Sequence, residues 1–470
     1  MNSTPHSFFK NLPLLQKKRY DVVIIGGGVS GAAAAIASAR HGAQTLVIEQ
    51  HGFMGGALTA MGVGPMMSFH NGAGKQLVKG IPQELVDRLM LNNASPGHIP
   101  DSITYCSTVT PFDSEYLKTE LETMLGEAGG DILYHTSFVQ PLVDDNLVRS
   151  VVVCGKSGLT QIEAFVFIDA TGDADLAYRA GVPCMTGRDG DGAVQPMTMN
   201  LKIGNVDTER IRTYAQENPQ DFHFTQGYEE GLERLGRTAR ISLAGYLKEW
   251  NEGLESGELN IPREYVLFFE TAVSGVVIVN TTRIQGLNPT NPEDVSRAEI
   301  IGRRQCMELF NFLRKRCPGF EQAVNMGTSV HVGIRESRRI RGLYTLTAED
   351  LIEEKDFPDT IAMGGYPIDI HSPDKAETKT TYLRPDIAYR IPLRCLLVEQ
   401  PVNLITVGRA VSATHEASAA IRVSPIAMAI GQAGGTLAAQ AVKDDTFPNA
   451  VDFKKLRDAL IEDGVILPEL

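Results

Sequence analysis

Residues 20–50 read YDVVIIGGGVSGAAAAIASARHGAQTLVIEQ, and this stretch decides how the rest of the chain is understood. The apolar run Val22, Val23, Ile24 and Ile25 suits a parallel strand buried on both faces. Gly26, Gly28 and Gly31 follow as G-x-G-x-x-G, an alanine-rich segment to His41 reads as a helix, and Gly42 ends it at a C′ position. Thr45 to Ile48 is a second apolar strand, closed by Glu49 about 20 residues after Gly28. These parts fall in register as a βαβ unit for a dinucleotide. Gly26 allows the tight turn, Gly28 lets the backbone approach a pyrophosphate, and Gly31 lets the helix pack on the strand. The free amides and positive dipole end of the helix, at Val29 and Ser30, then face the phosphates. Glu49, with Gln50 beside it, is placed to accept hydrogen bonds from a ribose diol and to repel a 2′-phosphate.

Composition narrows the class. A formal charge of −13 over 470 residues argues against a broad nucleic-acid or anionic-membrane surface, and 43% apolar content suffices for two ordinary cores. The six cysteines include no C-x-x-C and no metal-like spacing, so neither a dithiol relay nor a metal site is expected. No run approaches transmembrane length, and Lys17, Lys18 and Arg19 follow the apolar residues of the N-terminus where a secretory signal has its charges first. A reduced, cytoplasmic protein is the expectation.

After Glu49 the chain enters His51-Gly-Phe-Met-Gly55-Gly56-Ala57-Leu-Thr59, a glycine-rich segment in place of another helix-strand repeat. This resembles the FAD-binding domain of the glutathione-reductase-like flavoproteins, in which such a segment passes alongside the flavin. The resemblance implies FAD, with contacts from Gly55, Gly56, Ala57, Thr59 and, further on, Val139. Gln161 to Ile168 reads as a strand ending in Asp169-Ala170-Thr171-Gly172-Asp173. In the resembled flavoproteins an A-T-G there lies beside the FAD. Val402 to Val407 is a returning strand followed by Gly408-Arg409. Ser424 is an N-cap candidate and Pro425 fits the first turn of a small-residue helix that also carries Ile426 and Met428. Its positive end could stabilise the N1/C2-carbonyl edge of a flavin.

The expected architecture is α/β: a Rossmann-type, glutathione-reductase-like FAD-binding domain with an inserted α+β substrate domain. Its parts are an N-terminal arm at 1–19, a discontinuous FAD domain at 20–182 and 396–450, the insertion at 183–395, and a C-terminal segment at 451–470. Within the insertion, Pro196 to Ile203 and Tyr265 to Asn280 read as strand-like, and Thr208 to Gln216, Gly231 to Leu254 and Pro292 to Lys315 as helical. A second G-x-G-x-x-G is missing, which weakens the case for a nicotinamide domain.

Together with the N-terminal motif and Asp169 to Asp173, the blocks His331 to Gly342, Gly365-Tyr-Pro-Ile-Asp-Ile-His371 and Gly408 to Gly435 resemble a family of FAD-dependent oxidoreductases distantly related to the fumarate reductase flavoprotein class. The resemblance implies FAD and redox chemistry without naming a substrate. The His-Thr pattern of covalent attachment in succinate dehydrogenases is missing, so noncovalent FAD is the expectation.

Hydride transfer at a flavin needs a water-poor face, a substrate anchor and a group to handle the second proton. Arg335, Arg338, Arg339 and Arg341 supply cations; in an extended strand Arg335, Arg339 and Arg341 would share one face with Ser337. His331 heads that block, His371 ends the Tyr-Pro-Ile-Asp-Ile-His segment, and His415 follows Gly408-Arg409; His70 is a weaker candidate. Arg422 could reach a flavin carbonyl or a substrate carboxylate bidentately. Arg335, Arg422, His331, His371 and His415 are therefore the catalytic candidates. The expected activity is an FAD-dependent oxidoreductase, dehydrogenase or reductase ahead of oxidase or monooxygenase, on a small anionic or carbonyl-bearing substrate. The bond type, the electron partner and a homodimeric state stay open. Alternatives are an FAD-bearing redox subunit of a larger complex and, more weakly, an RNA-modifying flavoprotein.

Overall fold

The computed structural model describes residues 14–16 and 19–469, so most of the expected N-terminal arm lies outside the described residues. Five parallel strands form the nucleotide-binding sheet in the order Asp131–Leu133, Thr45–Ile48, Tyr20–Ile25, Gly158–Asp169 and Leu404–Thr406. Val22, Val23 and Ile24 are fully buried at its centre, which is why that strand reads as a continuous apolar run. Gly158–Asp169 serves two ladders. Its second half pairs parallel with Tyr20–Ile25, while its first half turns antiparallel against Leu147–Gly155, which pairs with Ser137–Asp144.

The Val29–Arg40 helix packs against the Ser424–Lys443 helix at backbone distance. A Cβ on Gly431 would stand 2.1 Å from the Ser30 carbonyl oxygen, and one on Gly435 would stand 2.0 Å from that of Ala34. The small residues of this helix serve packing on both sides, with Gly431 and Gly435 against the Val29–Arg40 helix and Gly434 against Val407 and Ile405 of the returning strand segment.

The inserted unit has its own core, drawn from Met197 to Val332. Its antiparallel sheet runs Ser242–Gly245, Val266–Glu270, Val277–Val279, Leu201–Gly204, Val324–Thr328. The Pro292–Arg316 helix packs on this core, with Gly302 and Cys306 against Met199. Three local expectations are corrected. Gly231 to Leu254 is not one helix: Tyr228–Arg237 and Leu247–Glu255 flank the strand Ser242–Gly245, whose four residues are buried and paired. Tertiary pairing there overrides helical periodicity. Tyr265 to Asn280 divides into two strands, with Gly275 at φ +72° between them, and the Pro196 to Ile203 stretch joins the sheet only from Leu201 on, in the strand Leu201–Gly204.

Leu346, Ile361, Tyr366, Tyr389 and Cys395 bury themselves in the core of the nucleotide-binding body. The stretch from Leu346 to Cys395, drawn into the 183–395 insertion from its rhythm, therefore packs with the FAD domain. Its hairpin Ile368–His371 and Thr378–Thr381 reaches back toward the inserted sheet. The C-terminal helix Phe453–Glu462 also joins this core through Leu456 and Leu460. Among the described residues no helix is long and apolar enough to cross a membrane.

Candidate active site

A cavity of ≈ 1070 Å³ opens at the carboxyl ends of the parallel strands and extends to the inserted sheet. That is the topological position at which open α/β sheets bind ligands, and its size is at the top of the ordinary range of ~300–1,000 Å³.

The nucleotide end is made by backbone. Gly26 has φ +102°, and a Cβ there would lie 2.5 Å from the Ala170 carbonyl oxygen; one on Gly31 would lie 1.9 Å from that of Gly26. Gly28 is different, because a Cβ on it would meet nothing within 4 Å. It borders open cavity, and the helix that starts after it has no side-chain cap, so the first amides are left for a ligand. Glu49 is buried and aimed by two amides, Oε2 accepting from Gly27 N (2.8 Å) and Oε1 from His51 N (2.7 Å). Arg409 donates to Asp173 Oδ1 and to Ser337 Oγ, both at 2.7 Å. Asp169, behind them, accepts from the amide and hydroxyl of Thr171 and from Ala177 N, and burial pushes its carboxyl up to about 6.

Of the expected cofactor residues, Gly26, Gly28, Val29, Ser30, Glu49, Gln50, Gly56, Ala57, Ala170, Thr171, Gly172, Gly408, Arg409 and Ser424 line the cavity. Gly31, Gly55, Thr59, Val139, Pro425, Ile426 and Met428 stand behind its wall. The Thr59 hydroxyl is taken by the Met54 carbonyl, the Val139 carbonyl accepts from Arg179, and Phe138 lines the cavity in place of Val139. Ser424 is not an N-cap: Val423 holds that position, and Ser424 is the first helical residue. Its place in the wall comes from the helix start pointing into the cavity.

The arginine block is not one strand either. Only Arg338–Ile340 is extended and paired. Arg338 binds Asp175 and the Asp173 carbonyl, and its guanidinium lies over the Tyr178 ring. Arg339 is buried against Glu336, which also accepts from His415 Nδ1 (2.8 Å). His415 is thus a member of a buried ion cluster outside the cavity wall, because a carboxylate from the Arg block reaches it first. His331 lines the cavity but stacks on His51 (5.0 Å, 15°), beside Glu49 and away from the other candidates. His70 bonds Thr108 and edges His98, outside the wall.

Arg335, His371 and Arg422 do converge, around a residue not chosen from the sequence. Asp369 Oδ2 stands 3.3 Å from His371 Nε2, 3.4 Å from an Arg422 nitrogen and 3.5 Å from the Tyr366 hydroxyl. Arg263 Nη1 lies 3.4 Å from His371 Nδ1, and the Thr378 hydroxyl 3.2 Å. With both donating to Nδ1, the neutral imidazole carries its proton on Nε2, toward Asp369. Burial, then the Arg335 charge, holds His371 well below its ordinary value. Burial alone would raise Asp369; the facing imidazole and the guanidiniums of Arg422 and Arg335 outweigh it and hold the carboxyl well below its usual range. Burial and the guanidiniums of Arg422 and Arg263 press Arg335 downward. Among the described residues its one hydrogen bond is to the Pro196 carbonyl (2.7 Å), and the buried Nε of Arg422 has no partner.

Asp369 and Tyr366 lie inside the Gly365–His371 segment, in which the histidine carries the more recognisable signal. Arg263, Tyr105 and Tyr265 carried no sequence signal, being single residues in loops or at a strand edge.

The profile of the FAD-dependent oxidoreductases matches residues 21–460. The chain belongs to that family. FAD is therefore its cofactor. Curated relatives match over shorter stretches: digeranylgeranylglycerophospholipid reductase of Methanoculleus marisnigri is 28% identical over 173 residues, 35% of this chain and 42% of that protein. The soluble pyridine nucleotide transhydrogenase of Hahella chejuensis is 43% identical over 61 residues, 13% of each. The chain spans about two fifths of the length of the first relatives it matches. Among solved structures, a geranylgeranyl bacteriochlorophyll reductase-like protein of Thermoplasma acidophilum superposes with TM-score 0.45 at 12% identity, covering 96% of this chain and 85% of that one. The flavin-dependent brominase Bmp2 gives TM-score 0.47 at 14%, covering 95% and 83%.

The residues present fit FAD. Space beside Gly28, the uncapped first amides of the Val29–Arg40 helix and the buried Glu49 suit a pyrophosphate and a ribose. Buried oxygens on Asn200 and Asn280, both in the cavity wall, have no donor among the described residues.

Proposed function

We propose that the chain moves hydride between FAD and a carbon centre of a small substrate bearing an anionic group, as a reductase or dehydrogenase. The observation that carries this reading is the charge balance at the far end of the cavity: Arg263, Arg335 and Arg422 line it against the single carboxylate of Asp369. A guanidinium does not shed its proton in a protein, so a buried cation lacking a carboxylate is relieved by taking up an anion.

Bound FAD supplies the hydride acceptor or donor. The protein's part is to anchor, orient and manage the accompanying proton. Arg335 and Arg422 would hold the substrate anion, and Asp369 fixes the His371 tautomer. Because the Arg335 charge adds to burial in depressing His371, an anion on Arg335 would raise the proton affinity of the imidazole. Tyr366, whose phenol burial and Asp369 hold well above its ordinary value, stays a hydrogen-bond donor. Noncovalent attachment is part of the proposal, supported by a nucleotide end built from backbone amides, Glu49 and Arg409.

The test is titration of the holoprotein with small carboxylates, followed by flavin absorbance and by proton uptake in weak buffer. Losing one charge-assisted hydrogen bond costs about 1.5–3 kcal/mol, so Arg335→Met or Arg422→Met should weaken binding roughly 10- to 150-fold. Unchanged affinity in both variants would reject the reading. Slow reoxidation of the photoreduced protein in air supports a reductase or dehydrogenase, and fast reoxidation supports an oxygen-using enzyme.

A further inference from the structure

Next to the guanidiniums, the cavity wall changes character. Tyrosines arrive from separate parts of the chain: Tyr105 from the loop before Thr108–Val109, Tyr265 from the edge of the inserted sheet, and Tyr366 and Tyr382 from either side of the Ile368–His371 hairpin. Tyr105 is 5.8 Å from Tyr366 with planes 55° apart, and 5.7 Å from Tyr382 with planes 68° apart. None of these three rings is stacked face to face on another, and all three line the cavity. Tyr265 stacks on His223 (5.7 Å, 10°) and carries the Arg263 guanidinium over its ring (5.5 Å), so its ring is already engaged by the protein. Exposure is graded: Tyr382 is 52% exposed at the mouth, and Tyr366 only 6% at depth beside Asp369. Leu267 and Phe269 complete the apolar lining. Burial keeps the phenols of Tyr105 and Tyr366 well above their ordinary value, so both remain neutral.

We propose that the substrate is an aryl carboxylate, its ring among Tyr105, Tyr366 and Tyr382 and its carboxylate on Arg335 and Arg422. This rests on the anionic reading of the site and adds the body of the molecule to it. A flat ring gains tilted or offset contacts with such a wall that an aliphatic ring of equal size does not. A small dicarboxylate would leave the aromatic faces wet. Tyrosine faces also attract ammonium groups. Here three lining guanidiniums against one carboxylate repel a cation, which selects the anion.

The experiment is calorimetry on the holoprotein with benzoate, phenylacetate, cyclohexanecarboxylate, succinate and benzylamine. Aryl acids should bind roughly 3- to 10-fold more tightly than cyclohexanecarboxylate, benzylamine should not bind, and the gap should close in Tyr105→Leu. If that variant does not fold, Tyr382→Leu at the exposed mouth reads the same gap. Equal binding of aryl and cyclohexyl acids, or tighter binding of succinate, overturns the aromatic assignment and leaves the anionic reading standing. Binding of benzylamine in preference to every carboxylate overturns both.

Discussion

Replacing Asp369 with asparagine keeps the shape of the side chain and removes the carboxylate that faces Arg263, Arg335 and Arg422. Its contacts, 3.3 Å to His371, 3.4 Å to Arg422 and 3.5 Å to Tyr366, are longer than ordinary charge-assisted bonds of about 2.7–2.9 Å. Removing one partner of a buried ion pair costs about 3–5 kcal/mol, and the long contacts place Asp369→Asn at the low end, about 3 kcal/mol. Unfolding entropy of about 2.1 cal/mol/K per residue amounts to roughly 1 kcal/mol/K for a cooperative unit of this length. The apparent Tm should therefore fall by about 3 °C. The distinguishing sign is rescue: with the competing charge gone, formate should bind more tightly to the variant than to the wild type and restore much of the loss. Thermal denaturation of both proteins across a formate series, at constant ionic strength, measures this. A variant whose Tm matches the wild type and ignores formate would refute the claim that Asp369 compensates an anion-seeking group of guanidiniums.

Other outcomes follow from the same geometry. Gly31→Ala puts a methyl group against the Gly26 carbonyl and should lose both fold and FAD, while Gly28→Ala, with open space around it, should keep the apoprotein Tm and lower FAD affinity by about tenfold or more. Flavin content after gel filtration separates the two. For His371, the folded pKa lies well below the unfolded value of ~6.5, so below that pH the unfolded chain binds more protons and stability rises with pH up to about 6.5. His371→Gln should flatten that limb in urea unfolding from pH 4 to 8, and an unchanged slope would show the imidazole is not buried neutral. Arg234 donates to the Cys106 carbonyl at 2.8 Å and so secures the loop that carries Tyr105. Arg234→Met should raise KM for the substrate several-fold with a smaller change in kcat, which steady-state kinetics would show.

Much of the nucleotide end was legible in the residues because its chemistry is local. A glycine turn, a helix start and a terminal acid act through backbone geometry set by near neighbours, and Gly26, Gly28 and Glu49 all line the cavity in the structure. Where the reading went astray, a distant partner intervened. Ser242–Gly245 became a strand because Val266–Glu270 was there to pair with it, and His415 left the list of cavity residues because Glu336 claimed it. Thr59 likewise spends its hydroxyl on the Met54 carbonyl.

The amino-acid sequence by itself determined the parallel nucleotide-binding sheet, the family and the cofactor, because periodicity, glycine spacing and the terminal acid are properties of short, contiguous segments. Only the tertiary structure decided which charges are spent and which are free. Arg338, Arg339 and Arg409 are neutralised by Asp175, Glu336 and Asp173, whereas Arg422 shares Asp369 with His371 and Arg335 has no ion-pair partner among the described residues. An arginine's role depends on the carboxylates that folding delivers to it, and those come from positions far away in the chain.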